Sequence, residues 1–236
     1  MTQKVFVPLE NNPAVMTSLG HKLGLSDELE FHDVYSLTDP DLLAILPRPA
    51  HALLFIYPQT PVSEKFFEEE YAAESDYDGT GDTPVLFYRQ RITHACGLIG
   101  LLHCVTNYPA RSHVRPDSDL AKLIEQANPL RPEPRARLLH DSDVLDAAHD
   151  TAAHTGDTEA PVRGDCPDNA FIAFVKGSDG HLYELEGRRK GPVDRGMLSE
   201  GSDVLSQDAL LKGPLAFIQR EQERSENCMF SCTVLA

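Results

Sequence analysis

QRITHACGLIGLLHCV, Gln90 to Val105, changes character in its middle. Up to Ala95 it continues an extended lead-in that begins at PVLFY. From Cys96 on, apolar residues fall at Leu98, Ile99, Leu101, Leu102 and Val105, the spacing of a buried helix. A helix starting near Cys96 needs a sheet to pack on, and the flanking sequence supplies one. HALLFIYP (51–58) is a continuous apolar run bounded by prolines, the pattern of a central strand buried on both faces. AFIAFVKG (170–177) and HLYELEGR (181–188) read as two strands joined by a tight turn at Ser178-Asp179-Gly180. GPVDRG (191–196) adds a short strand.

Outward from these, VFVPLE (5–10) reads as a strand, and Asn12-Pro13 starts an amphipathic helix closed by Gly24 and Ser26. A short helix is expected from Asp39 to Leu46, a longer one from Ser206 to about Glu223, and a closing strand in CMFSCTVLA (228–236). Residues 63–84 mix a charged helix start with a Gly/Asp-rich stretch and read as an exposed loop of weak order. Residues 110–139 are polar and helical in tendency, and 134–169 is poor in bulky apolar groups, a long loop of the kind that is functional or disordered. Strands at both ends and in the middle, interleaved with helices, give an α/β or α+β domain whose sheet joins distant parts of the chain. The 236 residues suit one domain, 1–236.

Lys and Arg number 21 against 37 Asp and Glu, a net charge of −16, which repels phosphate backbones and favours basic polypeptide partners over nucleic acid. There is no apolar run long enough to span a membrane and the start lacks a secretory pattern, so a place in the cytosol or nucleus is expected. The five cysteines, Cys96, Cys104, Cys166, Cys228 and Cys232, are odd in number and form no C-x-x-C pair, which argues against a disulfide framework or a structural zinc site. No metal or cofactor is called for.

Three residues carry candidate chemistry. Cys96, just before Gly97 and the apolar helix, places its sulfur at a helix N-terminus, where unpaired backbone N–H groups favour thiolate; a buried inert thiol fits the same pattern. Gln90, six residues upstream, carries an amide able to donate to an oxyanion, and equally suits a solvated strand end. Glu186, where HLYELE turns at Gly187, is a carboxylate placed to orient an imidazole, or a solvated strand end. The neighbouring strand holds no histidine.

Read together, the blocks VPLENNPAV (7–15), FHDVYSL (31–37), LPRPAHALLFIYP (46–58), QRITHACGLIGLLH (90–103), HDTAAHTGDTEAP (149–161), FIAFVKGSDGHLYELEGRRKGPVDRG (171–196) and the last strand resemble the ubiquitin C-terminal hydrolases, papain-like cysteine deubiquitinases, in order and along nearly the whole chain. The resemblance implies an α+β fold, knotted, with a central antiparallel sheet flanked by helices, acting as a monomeric thiol protease on ubiquitin or a related modifier. It implies Cys96 as nucleophile and Gln90 as oxyanion donor, with Glu186 in the place of the family's orienting Asp in its HLYELDGR pattern. The family's histidine directly precedes the strand here reading FIAFV, and that position is Ala170.

Asp to Glu keeps the charge; loss of the histidine removes the group that takes the thiol proton and protonates the leaving amine. Near-background activity follows, with Ala170 read as an engineered substrate trap and a natural ubiquitin-binding pseudoenzyme as the alternative. Of the other histidines, His181 matches a position with no catalytic role, His149 and His154 fall in the long loop, and His94, where the family has Asn, is the one worth a test. The resemblance further implies an active-site crossover loop at about 141–168 that restricts substrates to small adducts. Glu10 and Asp33 would meet the arginines of the LRLRGG tail of ubiquitin, Pro8 and Leu9 would give apolar contacts, and a further family acid falls at Ala14.

Overall fold

The computed structural model describes residues 4–80, 83–157, 169–222 and 229–236. Its described strands form one antiparallel sheet in the order β1-β6-β2-β3-β4-β5. These are β1 (Phe31–Asp33), β2 (Ala52–Pro58), β3 (Asn169–Lys176), β4 (His181–Leu185), β5 (Val193–Met197) and β6 (Ser231–Leu235). β2 lies mid-sheet between β6 and β3, as its unbroken apolar run requires. Leu54 faces one core cluster, while Leu53, Phe55 and Tyr57 face the other. β3 alternates in the same way, sending Phe171, Ala173 and Val175 to the first cluster and Ala170, Ile172 and Phe174 to the second.

Helices cover both faces. On the first lie α1 (Pro13–Leu23), α4 (Cys96–Val105), α5 (Asp119–Ala127) and α7 (Asp143–Ala152); on the second lie α2 (Pro40–Ala44), α8 (Gln207–Lys212) and α9 (Pro214–Gln222). α1 begins as expected: the Asn12 side chain accepts from Ala14 and Val15 N–H, with Pro13 at the first helical position. Gly24 closes it at φ 127°.

Several expectations are corrected. VFVPLE forms no ladder: Val5 makes a single parallel bridge to Thr93, because Phe6, Val7, Pro8 and Leu9 are all buried and Pro8 has no N–H to donate. The charged start at 63 is part of a full helix, α3 (Pro61–Ala73), begun by a capping box in which the Thr60 hydroxyl accepts from Ser63 N–H and the Ser63 hydroxyl accepts from Thr60 N–H. None of its residues is buried, so no apolar stripe marked it. The long segment 134–169 contains the end of α6 (Pro132–His140) and all of α7, which buries Leu145, Ala148, His149 and Ala152, with Leu145 as its single large aliphatic contact. The remainder, 158–168, lies outside the described residues. The C-terminal helix is two, α8 and α9, parted at Gly213-Pro214, where a side chain at 213 would come within 3.0 Å of the Phe174 ring.

Candidate active site

α4 carries the sulfur to the end of the sheet. Its residues 97–105 are all buried, and two glycines one turn apart set how closely it seats. A Cβ at Gly97 would stand 2.9 Å from Leu9 Cβ, and one at Gly100 would stand 2.7 Å from a Leu54 methyl and 3.4 Å from Phe171 Cβ. The motif C-G-x-x-G thus lets the helix lie directly on β2 and β3. Cys96 is its first residue, half-buried, and the N-cap, Ala95, offers no side chain to the first-turn N–H groups. By contrast Cys104 and Cys232 are sealed in the core, where burial pushes their thiols well above the ordinary range.

The other candidates reach the sulfur's surroundings from distant parts of the chain. Gln90 N–H donates to the carbonyl of Gly187 at 2.8 Å, and its side-chain amide donates to Ile92 O at 3.1 Å. A Cβ at Gly187 would lie 2.9 Å from Gln90 Cβ, so this glycine permits the close approach of the two segments. Glu186, just before it, is 2% exposed. Burial outweighs the nearby Arg188 and Arg189 and raises its carboxyl to about 6. Arg188 Nε donates to its Oε1 at 2.5 Å, and the Tyr57 hydroxyl donates to its Oε2 at 3.4 Å. Ala170 pairs with Tyr57 across β2 and β3, and Ala173 with Leu185 across β3 and β4. The pleat therefore puts Ala170 and Glu186 on the same sheet face.

Gln90, Cys96, Ala170 and Glu186 line one cleft of about 430 Å³, together with Pro8, His94 and Arg188. His94 adopts φ 62°, a left-handed backbone uncommon for a non-glycine residue, two positions before the sulfur. The other histidines considered are engaged elsewhere. His149 bonds to Val7 O at 2.7 Å, His154 to Asp150 O at 2.7 Å, and His181 to Asp194 at 2.9 Å. Among the described residues no cluster of His, Cys, Asp and Glu is arranged to hold a metal.

Of the residues matched to tail recognition, Pro8 lines the cleft. Leu9 is 5% exposed and lies beneath Gly97, so its role here is to seat α4. Glu10 accepts from Asp157 N–H at 2.9 Å, tying the start of the chain to the segment after α7. Asp33 is exposed on the edge strand β1, and Ala14 is exposed on α1. Arg188 and Tyr57 were missed from sequence. Arg188 follows the ELEG turn directly and could have been weighed as a partner for Glu186; nothing local marks Tyr57, whose role arises only from β2 lying beside β3.

The profile of the family described as ubiquitin carboxyl-terminal hydrolase, family 1, matches residues 6–217. A ubiquitin carboxyl-terminal hydrolase of Aplysia californica is 37% identical over 213 residues, covering 88% of this chain and 92% of the relative. Isozyme L1 of Rattus norvegicus is 35% identical over 216 residues, covering 91% and 92%, and ubiquitin carboxyl-terminal hydrolase 3 of Arabidopsis thaliana is 36% identical over 200, covering 84% and 82%. The fold is similar to that of the Trichinella spiralis UCH37 catalytic domain, solved bound to ubiquitin vinyl methyl ester, with a TM-score of 0.73 at 18% identity over 100% of this chain and 96% of that one. A cysteine at the head of a buried helix, a glutamine and a carboxylate in one cleft, and a profile match over most of the length lead to one conclusion: the chain belongs to family 1 of the ubiquitin carboxyl-terminal hydrolases, the cysteine-type deubiquitinating enzymes.

Proposed function

We propose that the whole chain is one catalytic unit that takes the C-terminal tail of ubiquitin into the Cys96 cleft, in the cytosol or nucleus, and acts on small adducts or peptides joined to its last glycine. The single observation that carries this reading is the convergence of Gln90, Cys96, Ala170 and Glu186 on one cleft. In the complete reaction the thiolate attacks the scissile carbonyl, the Gln90 amide steadies the oxyanion, and an imidazole at position 170, oriented by residue 186, moves the proton from sulfur to leaving nitrogen. Ala170 supplies no such group, so this chain binds the tail and turns over near background.

Pro8 at the cleft and acids at Glu10 and Asp33 fit a tail bearing two arginines. A crossover segment at about 141–168 would limit the size of the leaving group; its described part ends at Asp157, whose N–H donates to Glu10. The test is hydrolysis of a fluorogenic ubiquitin C-terminal amide. Ala170→His is expected to gain several factors of ten, each worth about 1.4 kcal/mol of barrier; a folded, ubiquitin-binding Ala170→His protein that remains inert counts against the reading.

A second reading, a ubiquitin-binding pseudoenzyme, is favoured by two contacts: Arg188 and Tyr57 already engage the Glu186 carboxylate that would orient the imidazole. Micromolar ubiquitin binding by the chain as it stands, with no gain in Ala170→His, is its signature.

A further inference from the structure

Leu86, Phe87 and Tyr88 lie on the approach to Gln90, and all three are buried, yet they fall outside the six described strands. Buried backbone polar groups need partners, and a chain outside a ladder has to find them elsewhere. Here side chains supply them. Leu86 N–H donates to Asn107 Oδ1 at 2.6 Å, and Asn107 Nδ2 donates back to Leu86 O at 3.0 Å. Arg135 Nη1 donates to Phe87 O at 2.7 Å. Tyr88 N–H donates to His103 Nε2 at 2.9 Å, which assigns that ring the Nδ1–H tautomer. Asn107 is 3% exposed, and His103 and Arg135 are 0% exposed.

Two of these side chains belong to the helix that carries the sulfur. His103 stands about two turns along α4 from Cys96, and Asn107 follows the helix end and also donates to His103 O at 2.9 Å. The segment from 86 to 107 is therefore closed at its base by two rungs, and the part beyond the rungs carries both Gln90 and Cys96. Arg135 holds the same approach from the other side, because it also donates to Ala127 O at 3.0 Å and Leu130 O at 2.7 Å. Burial pushes the His103 pKa down to about 3, so its ring stays a neutral acceptor at ordinary pH.

We infer that Asn107, His103 and Arg135 are positioning residues for the oxyanion site: their side chains replace a neighbouring strand and hold the Gln90 amide at a fixed reach from the Cys96 sulfur. This rests on the reading of Gln90 as oxyanion donor. A donor aimed at developing charge helps only if it is already in place, and a displacement of about 1 Å costs about 10²-fold. The rival account is that three buried polar groups merely stabilise the fold.

The experiment uses the full chain carrying Ala170→His. His103→Met removes the acceptor for Tyr88 N–H, and His103→Gln keeps one. In His103→Met, kcat for the ubiquitin C-terminal amide is expected to fall about tenfold or more, with KM within about twofold. His103→Gln is expected to recover most of that loss. Alkylation of Cys96 by iodoacetamide, in which sulfur displaces iodide and no oxyanion forms, is expected to keep its rate. Gln90→Ala alone costs about 10²-fold; adding His103→Met to it is expected to cost less than about twofold more, because the rung acts through Gln90. Losses that multiply, or alkylation that falls in step with hydrolysis, would overturn the proposal.

Amide hydrogen exchange, read by NMR on the chain with Ala170 kept, makes the test independent of turnover. His103→Met is expected to speed exchange about tenfold at the Tyr88 and Gln90 amides and to leave β2 and β3 unchanged. Unchanged exchange at Gln90, or an equal rise throughout the domain, overturns the proposal. An inert Ala170→His protein that still shows this local pattern leaves the rungs holding Gln90 and counts against the functional reading instead.

Discussion

Glu186 shows how burial and two neighbours together set the state of one carboxylate. Its Oε1 accepts from Arg188 Nε at 2.5 Å and its Oε2 from the Tyr57 hydroxyl at 3.4 Å. Burial still dominates and holds its carboxyl up at about 6, above the model-peptide range. The pH consequence follows from the direction of that shift. An acid whose folded value exceeds its unfolded one binds more protons in the native state, so its stabilising contribution is fully present below pH 4.5 and is lost as the pH rises through about 6. A shift of that size corresponds to roughly 2 kcal/mol. Unfolding free energies of the parent and Glu186→Gln, measured by urea titration from pH 4 to 7, are expected to diverge by about that amount, the parent declining more steeply. Parallel curves would mean that Arg188 cancels the burial cost.

Among the elements, α3 is attached in an unusual way. It has no buried residue, and its contacts to the sheet are ionic or aromatic. Glu64 meets Arg188 at 3.0 Å, Glu70 and Glu74 meet Arg189 at 2.5 Å each, and the Arg188 guanidinium lies 4.2 Å from the centroid of Phe67. Arg189 is 1% exposed in its side chain and also binds Glu184, which is 0% exposed. Taking away one member of such a group leaves charge stranded out of water, which costs about 3–5 kcal/mol. Arg189→Ala is therefore expected to lower the unfolding free energy by that amount, with hydrogen exchange rising first in 61–74. An unchanged denaturation midpoint would show that other contacts hold α3. Because Arg188 belongs to both the Glu64 pair and the Glu186 pair, this helix is coupled to the cleft.

At the scale of the whole molecule, a charge of −16 sets the long-range field. A partner presenting arginines is steered by it, and the effect appears mainly in the association rate. Raising ionic strength from about 0.01 M to about 0.15 M shortens the screening length from about 30 Å to about 8 Å. Stopped-flow association with ubiquitin is expected to slow several-fold across that range, with dissociation nearly constant; the opposite division would place the charge contribution in the docked contacts.

How much of this was legible in the sequence depends on where the information lies. Runs of local pattern sufficed for the buried β2, the β3–β4 hairpin with its Asp-Gly turn, the Asn12-Pro13 start of α1 and the helix at Cys96, because hydrophobic period and capping are properties of neighbouring residues. α3 and α7 escaped that reading. One is held by arginines more than a hundred residues away, and the other by a stripe of Leu145, Ala148, His149 and Ala152 with only one large aliphatic member. The sequence by itself determined the chemistry available: a thiol at a helix start, an amide, a carboxylate, and a methyl at position 170. Only the tertiary structure decided that these meet in one cleft, that Leu9 lies under Gly97, and that Arg188 and Tyr57 hold Glu186. The reason is physical: burial, the charge it shifts and the approach of one backbone to another depend on segments far apart in the chain that are brought together only by the sheet.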